Sequence, residues 1–164
     1  MLFRSVGRAM QLDVTSRRRL VTIFAAANRS QDEYAVIAEL VELSISDEER
    51  AKLLRRGAEV GEQLGRSEET LIELWRRRLA IVAGDKASLR ALSRLESKLG
   101  NHAEAADWLG QELNAVGDSA EASGLRLRLA TLVWHELGSA SRCVALVEAE
   151  DRAFGVSDRK STRL

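Results

Sequence analysis

Apolar residues recur at spacings of three and four along almost the whole chain. From Ala87 to Leu113 the sequence reads ASLRALSRLESKLGNHAEAADWLGQEL, with Leu89, Leu92, Leu95 and Leu99 on one stripe, a break at Gly100, and a second stripe through Ala105, Ala106, Leu109 and Leu113. A helical period broken at a glycine predicts two amphipathic helices joined as a hairpin. Gly100 stands where a helix ends in a left-handed residue, and the side chain of Asn101 is expected to cap the next helix.

The same signals recur on both sides of this hairpin. Val6 to Leu12 reads as the tail of a helix closed by Asp13, that is, half a repeat. A helix is predicted from about Thr15 to Asn28 with Leu20, Ile23, Phe24 and Ala27 on one face, and another from about Asp32 to Ser44 through Tyr34, Ile37, Leu40 and Val41. Ser46-Asp47-Glu48-Glu49 has the pattern of a capping box, in which Ser46 accepts a backbone N–H and Glu49 reaches back to the cap. It opens a helix that runs to Leu64 and stops at Gly65. Ser67 caps the next, whose apolar face is Leu71, Leu74, Trp75, Leu79 and Val82, before a turn at Gly84-Asp85. After Gly117-Asp118 comes a long helix with Leu125, Leu127, Leu129, Ala130, Leu132, Val133, Trp134 and Leu137. Its apolar residues occupy more than one face, so it is expected to be sandwiched between neighbours. Gly138 ends it, and Ser139 starts a last helix through Val144, Leu146 and Val147 to about Ala153.

These hairpins repeat with a double period. A shift of about 72 residues places Leu20 on Leu92, Ile23 on Leu95, Asn28 on Gly100, Ile37 on Leu109, Ser46 on Asp118, Ser67 on Ser139, and Asp13 on Asp85. Twice a hairpin of mid-thirties length gives that number. The fold class expected is therefore all-α, an α-solenoid of about four stacked antiparallel hairpins.

Composition narrows the function classes. Among 164 residues there is no proline, aromatic residues make up 4%, and Lys plus Arg balances Asp plus Glu at 25 each, so no strong field for nucleic acid or anionic membrane is expected. One cysteine, Cys143, excludes an internal disulfide and a cysteine-based zinc cluster. No apolar run approaches the roughly 20 residues of a membrane-spanning helix. The extremes read differently from the rest: Asp158 to Leu164, DRKSTRL, matches a translated sequencing adapter, and Leu2 to Ser5, LFRS, matches the complementary adapter end. Residues 1–5 and 158–164 are therefore expected to be adapter-derived and 6–157 to be the repeat segment, an internal piece of a longer protein. Cytoplasmic location is only a default.

The junction Leu99-Gly100-Asn101-His102-Ala103-Glu104-Ala105 resembles that of tetratricopeptide repeats (TPRs), G-[DN]-[YH]-x-E-A. Leu129-Ala130-Thr131-Leu132, Leu137-Gly138 and Ala145-Leu146 resemble divergent bacterial forms of the same repeat. The chain departs from the family pattern in lacking the proline after the second helix and in carrying Gly61 and Glu96 at a usual aromatic position. The resemblance implies a TPR-like array whose first helices line a concave surface. Carried over by the junction glycines, the groove-facing residues would be Arg18, Thr22, Arg55, Glu59, Glu62, Arg90, Arg94, Lys98, Thr131 and Trp134. That set has a basic excess and would suit a peptide bearing acidic residues.

Nothing in the sequence assembles a catalytic constellation, so no enzyme activity, cofactor or metal is expected. His102 and His135 lie in different repeats without an H-E-x-x-H pattern, and His102 reads as a packed aromatic substitute. Cys143 reads as a small buried hydrophobe, and Gly57 and Gly61 as a close helix crossing rather than a phosphate cradle. The runs Arg17-Arg18-Arg19 and Arg76-Arg77-Arg78 point in different directions on a helix and read as solvated and salt-bridged, with Glu73 placed to pair with Arg77. Trp75, Trp108 and Trp134 sit among leucines and read as core. The function expected is a non-catalytic protein-interaction scaffold for a protein or peptide partner. A regulatory arm of a larger enzyme or signalling protein is the alternative, and RNA binding through the arginines would show as affinity falling steeply with salt.

Overall fold

The computed structural model describes residues 13–148, apart from 45 and 118. The half-repeat expected over Val6 to Leu12, the two adapter-like ends, Asp118 and the end of the last helix near Ala153 lie outside the described residues. Seven described helices follow in order: α1 Val14–Ala26, α2 Ser30–Leu43, α3 Asp47–Gln63, α4 Glu68–Ile81, α5 Lys86–Lys98, α6 His102–Val116 and α7 Ala120–His135. The chain is helical again over 140–148. It divides into two compact units, the first ending at Ile81 and the second beginning at Val82. In the first, α2 packs on α1, α3 on α2 and α4 on α3; in the second, α6 packs on α5 and α7 on α6.

The local signals act largely as expected. Asp13 accepts from the backbone N–H of Ser16 at 2.6 Å, Ser46 from that of Glu49 at 3.3 Å, Ser67 from that of Thr70 at 3.4 Å, and Asp85 from that of Ser88 at 2.8 Å. Each satisfies a donor that the first helical turn leaves open. Two caps differ. The Glu49 carboxylate does not reach back to its cap, because both its oxygens accept from Arg18 of α1, at 2.5 and 2.7 Å. Asn101 makes no side-chain cap; its amide donates to Glu96 Oε2 at 2.8 Å. That bond supplies a partner for the buried Glu96 carboxylate.

The core of the first unit gathers Ile37 and Val41 of α2 with Leu54 of α3, backed by Val21, Leu53, Leu74 and Ile81. Gly57 and Gly61 make the close crossing possible. A Cβ on Gly57 would stand 3.2 Å from Ile37 Cγ2, and one on Gly61 would stand 2.9 Å from Leu71 Cδ2 and 3.3 Å from Tyr34 Cε2. Three helices thus meet around one glycine. In the second unit Ala106 and Leu109 of α6 pack against Leu125, Leu129 and Val133 of α7, with Cys143 and Leu146 completing the layer.

Several predicted core positions face solvent. Ile23 is 57% exposed and Ala27 is exposed, because α1 packs on α2 alone among the described helices and buries no residue. Leu127 at 69% and Trp134 at 53% face solvent on α7, whose buried face is shared by α6 and by Cys143 and Leu146. The α7 cap is Ser119, one residue beyond the position that the 72-residue shift assigns. Trp75 is buried and Trp108 half-buried, as expected of core side chains.

Candidate partner-binding groove

In the second unit α5 and α7 both pack on α6, and the space left between them is a groove of about 590 Å³. Ser93, Arg94 and Ser97 form its α5 wall, Leu127, Arg128, Thr131, Leu132, His135 and Glu136 its α7 wall, and Leu109 of α6 its floor. Three basic side chains and one carboxylate therefore rim a surface with apolar side chains between them. Thr131 is held by donating its hydroxyl to the Leu127 carbonyl at 2.9 Å. Glu136 also stands 3.4 Å from His102 Nε2, so it is shared with the hairpin junction.

Of the ten residues expected to face a groove, this cleft brings together Arg94 and Thr131. Lys98 and Trp134 are exposed on the same two helices but outside its lining. Arg90 is committed elsewhere: its Nε and Nη2 donate to Glu112 Oε1 at 2.9 and 2.7 Å, and Glu112 has no exposed surface. In the first unit Arg18 is tied to Glu49, Thr22 donates to the Arg18 carbonyl at 3.4 Å, and Arg55 pairs with Glu59 at 2.8 Å along α3. Glu62 is exposed on α3. The Arg18 hydrogen bond holds the Glu49 carboxyl below the usual carboxylate range, and Glu49 raises the Arg18 guanidinium in turn. A similar tie joins Arg56 to the buried Glu33 at 2.6 and 3.1 Å, and that hydrogen bond raises the Arg56 guanidinium.

Arg128 and His135 were missed, although the signal was present. They stand three before and four after Thr131, on the stripe of α7 that Thr131 itself defines. The arginine runs also divide. Arg17 pairs with Glu39 at 2.8 Å and Arg77 with Glu42 of α2 at 2.8 Å, so Arg77 bridges between helices instead of along its own helix to Glu73. Arg78 is buried rather than solvated: it is 9% exposed and donates to the Ala51 carbonyl at 3.0 Å. His102 is half-buried and packed, and His135 is exposed. Among the described residues no three His, Cys, Asp or Glu side chains converge as metal ligands, and no helix is long and apolar enough to cross a membrane.

No family model matches the chain, and no curated protein matches it. Solved structures do. One, from Podosopora anserina, is described as kinesin light chain with nearly identical TPR-like repeats; it superposes with a TM-score of 0.56 at 16% identity, over 92% of this chain and 78% of that one. Likeness at that identity carries the fold and no function. With the helix order and the junctions above, the chain has an all-α, TPR-like helical-repeat fold.

Proposed function

We propose that this chain is a non-catalytic protein-interaction scaffold, which takes an acidic segment of a partner protein or peptide in the groove between α5 and α7. The observation that carries this reading is the rim of Arg94, Arg128 and His135, in excess over the single carboxylate of Glu136, around Leu109, Leu127 and Leu132. Basic groups select carboxylates and set the orientation of the partner, while the leucines supply apolar area for its intervening side chains. Helical-repeat folds bind through extended surfaces of this kind.

The test titrates a short fluorescein-labelled peptide of Glu and Leu residues against the chain by fluorescence anisotropy. Arg94→Glu with Arg128→Glu is expected to weaken binding by about tenfold or more, and binding to the unaltered chain to weaken with added salt. Equal binding by the double variant would remove the groove from the proposal.

A further inference from the structure

The two walls of the groove between α5 and α7 use the same positions of two successive first helices. Counted from the caps Asp85 and Ser119, Arg94 and Arg128 both stand nine residues on, and Ser97 and Thr131 both stand twelve. Two exposed guanidinium groups therefore mark one level of the groove. The equivalence continues to its far end. His102 and Glu136 each stand seventeen residues beyond those caps, and there His102 Nε2 is 3.4 Å from Glu136 Oε2.

Charge is thus divided along the groove rather than spread over it. Glu136 follows Arg128 by eight residues, about 12 Å along the axis of α7, and Leu132 lies midway, four residues from each. Glu136 is the C-cap of that helix, where the last carbonyl groups add negative potential, and its side chain is 47% exposed. A ligand that is acidic throughout meets the arginines at one end and a like charge at the other.

We infer, resting on the reading of this groove as a peptide site, that it selects a bipolar segment. An acidic residue lies between Arg94 and Arg128, an apolar residue two positions away covers Leu132, and a basic residue four positions away meets Glu136. Extended chain advances about 3.3 Å per residue and puts positions i, i+2 and i+4 on one face. The fourth residue therefore lies about 13 Å from the first, which matches the separation of the two charges along α7. A helix over the same length takes roughly 1,000 Å³, against about 590 Å³ in the groove, so the segment that fits is extended. Glu136 is in this way the residue that sets specificity, and the arginines set affinity.

Three fluorescein-labelled peptides test this by anisotropy at low salt, where exposed charges are least screened. Two carry the bipolar pattern, Glu-Ser-Leu-Ser-Lys and its reverse Lys-Ser-Leu-Ser-Glu, because either chain direction places the charges alike. The third is the acidic Glu-Ser-Leu-Ser-Glu. One bipolar peptide is expected to bind about threefold or more tighter than the acidic one, despite the larger net charge of the latter. Glu136→Lys should abolish or reverse that preference with unchanged circular dichroism, since a cation suits the end of a helix. Tighter or equal binding of the acidic peptide by the unaltered chain, or a preference untouched by Glu136→Lys, overturns the inference and leaves the groove as a site for acidic segments. Failure of all three to bind up to about 1 mM peptide removes the groove itself, and the inference with it.

Discussion

The guanidinium of Arg90 on α5 donates twice to Glu112 Oε1 on α6, across the hairpin, while Glu112 itself is shut off from solvent. The pair places the charge of a buried carboxylate next to a half-exposed cation, which keeps one face of the ion pair in water. Removing the cation leaves the carboxylate buried and uncompensated, and breaking a pair in that direction is the costly one. Arg90→Ala is therefore expected to cost about 2 kcal/mol, reduced from the fully buried case by the exposure of Arg90. Arg90→Leu with Glu112→Leu should recover most of it. Urea midpoints of the unaltered chain and the two variants measure both terms.

The hairpin architecture was legible because its signals are local. A stripe of leucines, an Asp or Ser at a cap and a glycine at a junction each act within one or two turns, and Leu89, Leu92, Leu95, Asp85, Ser67 and Gly100 do in the structure what their spacing implies, while Leu99 at the end of the stripe is 38% exposed. Coverage by a neighbour was not legible. Ile23, Leu127 and Val144 belong to apolar stripes as good as those of Ile37 and Leu129, yet they face solvent because no described helix lies over them. Polar side chains were misread for a related reason. Arg78 and Arg90 are tied across helices to partners more than twenty residues away in sequence, and a window of one helix holds no trace of such a pair.

Gly61 sits where α2, α3 and α4 converge, and a methyl group there would press on the Leu71 side chain at 2.9 Å. Leu71 is itself buried, so the crossing must widen. Overpacking of this kind costs about 1–3 kcal/mol, against a gain of up to about 1 kcal/mol in helix propensity. Gly61→Ala is expected to be net destabilising. Gly110→Ala on α6, where a Cβ meets nothing within 4 Å, keeps only the gain and should raise the thermal midpoint.

Arg18 and Glu49 tie α1 to α3, and the tie lowers the Glu49 pKa from its ordinary 4.5. A carboxylate with a depressed folded-state pKa contributes stability above its unfolded value and loses that contribution as pH falls through the folded one. The stability difference between the unaltered chain and Glu49→Gln should therefore be present at neutral pH and shrink progressively below about pH 4.5. Urea titrations at stepped pH give the curve. A difference that persists unchanged into strong acid would assign the effect of Glu49 to something other than its charge.

Asn28 ends α1 with φ of +53°, the one left-handed residue other than glycine among the described residues, and the 72-residue repeat places it on Gly100, whose φ is +79°. Both residues follow a first helix and turn the chain into a second. Asparagine tolerates the left-handed region better than other residues with a Cβ, but still at a cost that glycine does not carry. Asn28→Gly is accordingly expected to stabilise the first unit by up to about 1 kcal/mol, and Asn28→Ala to destabilise it by about 1 kcal/mol. The opposite signs separate backbone conformation from side-chain contact, because both substitutions delete the same amide. If the two variants melted together, the asparagine side chain and not its φ would be what holds this junction.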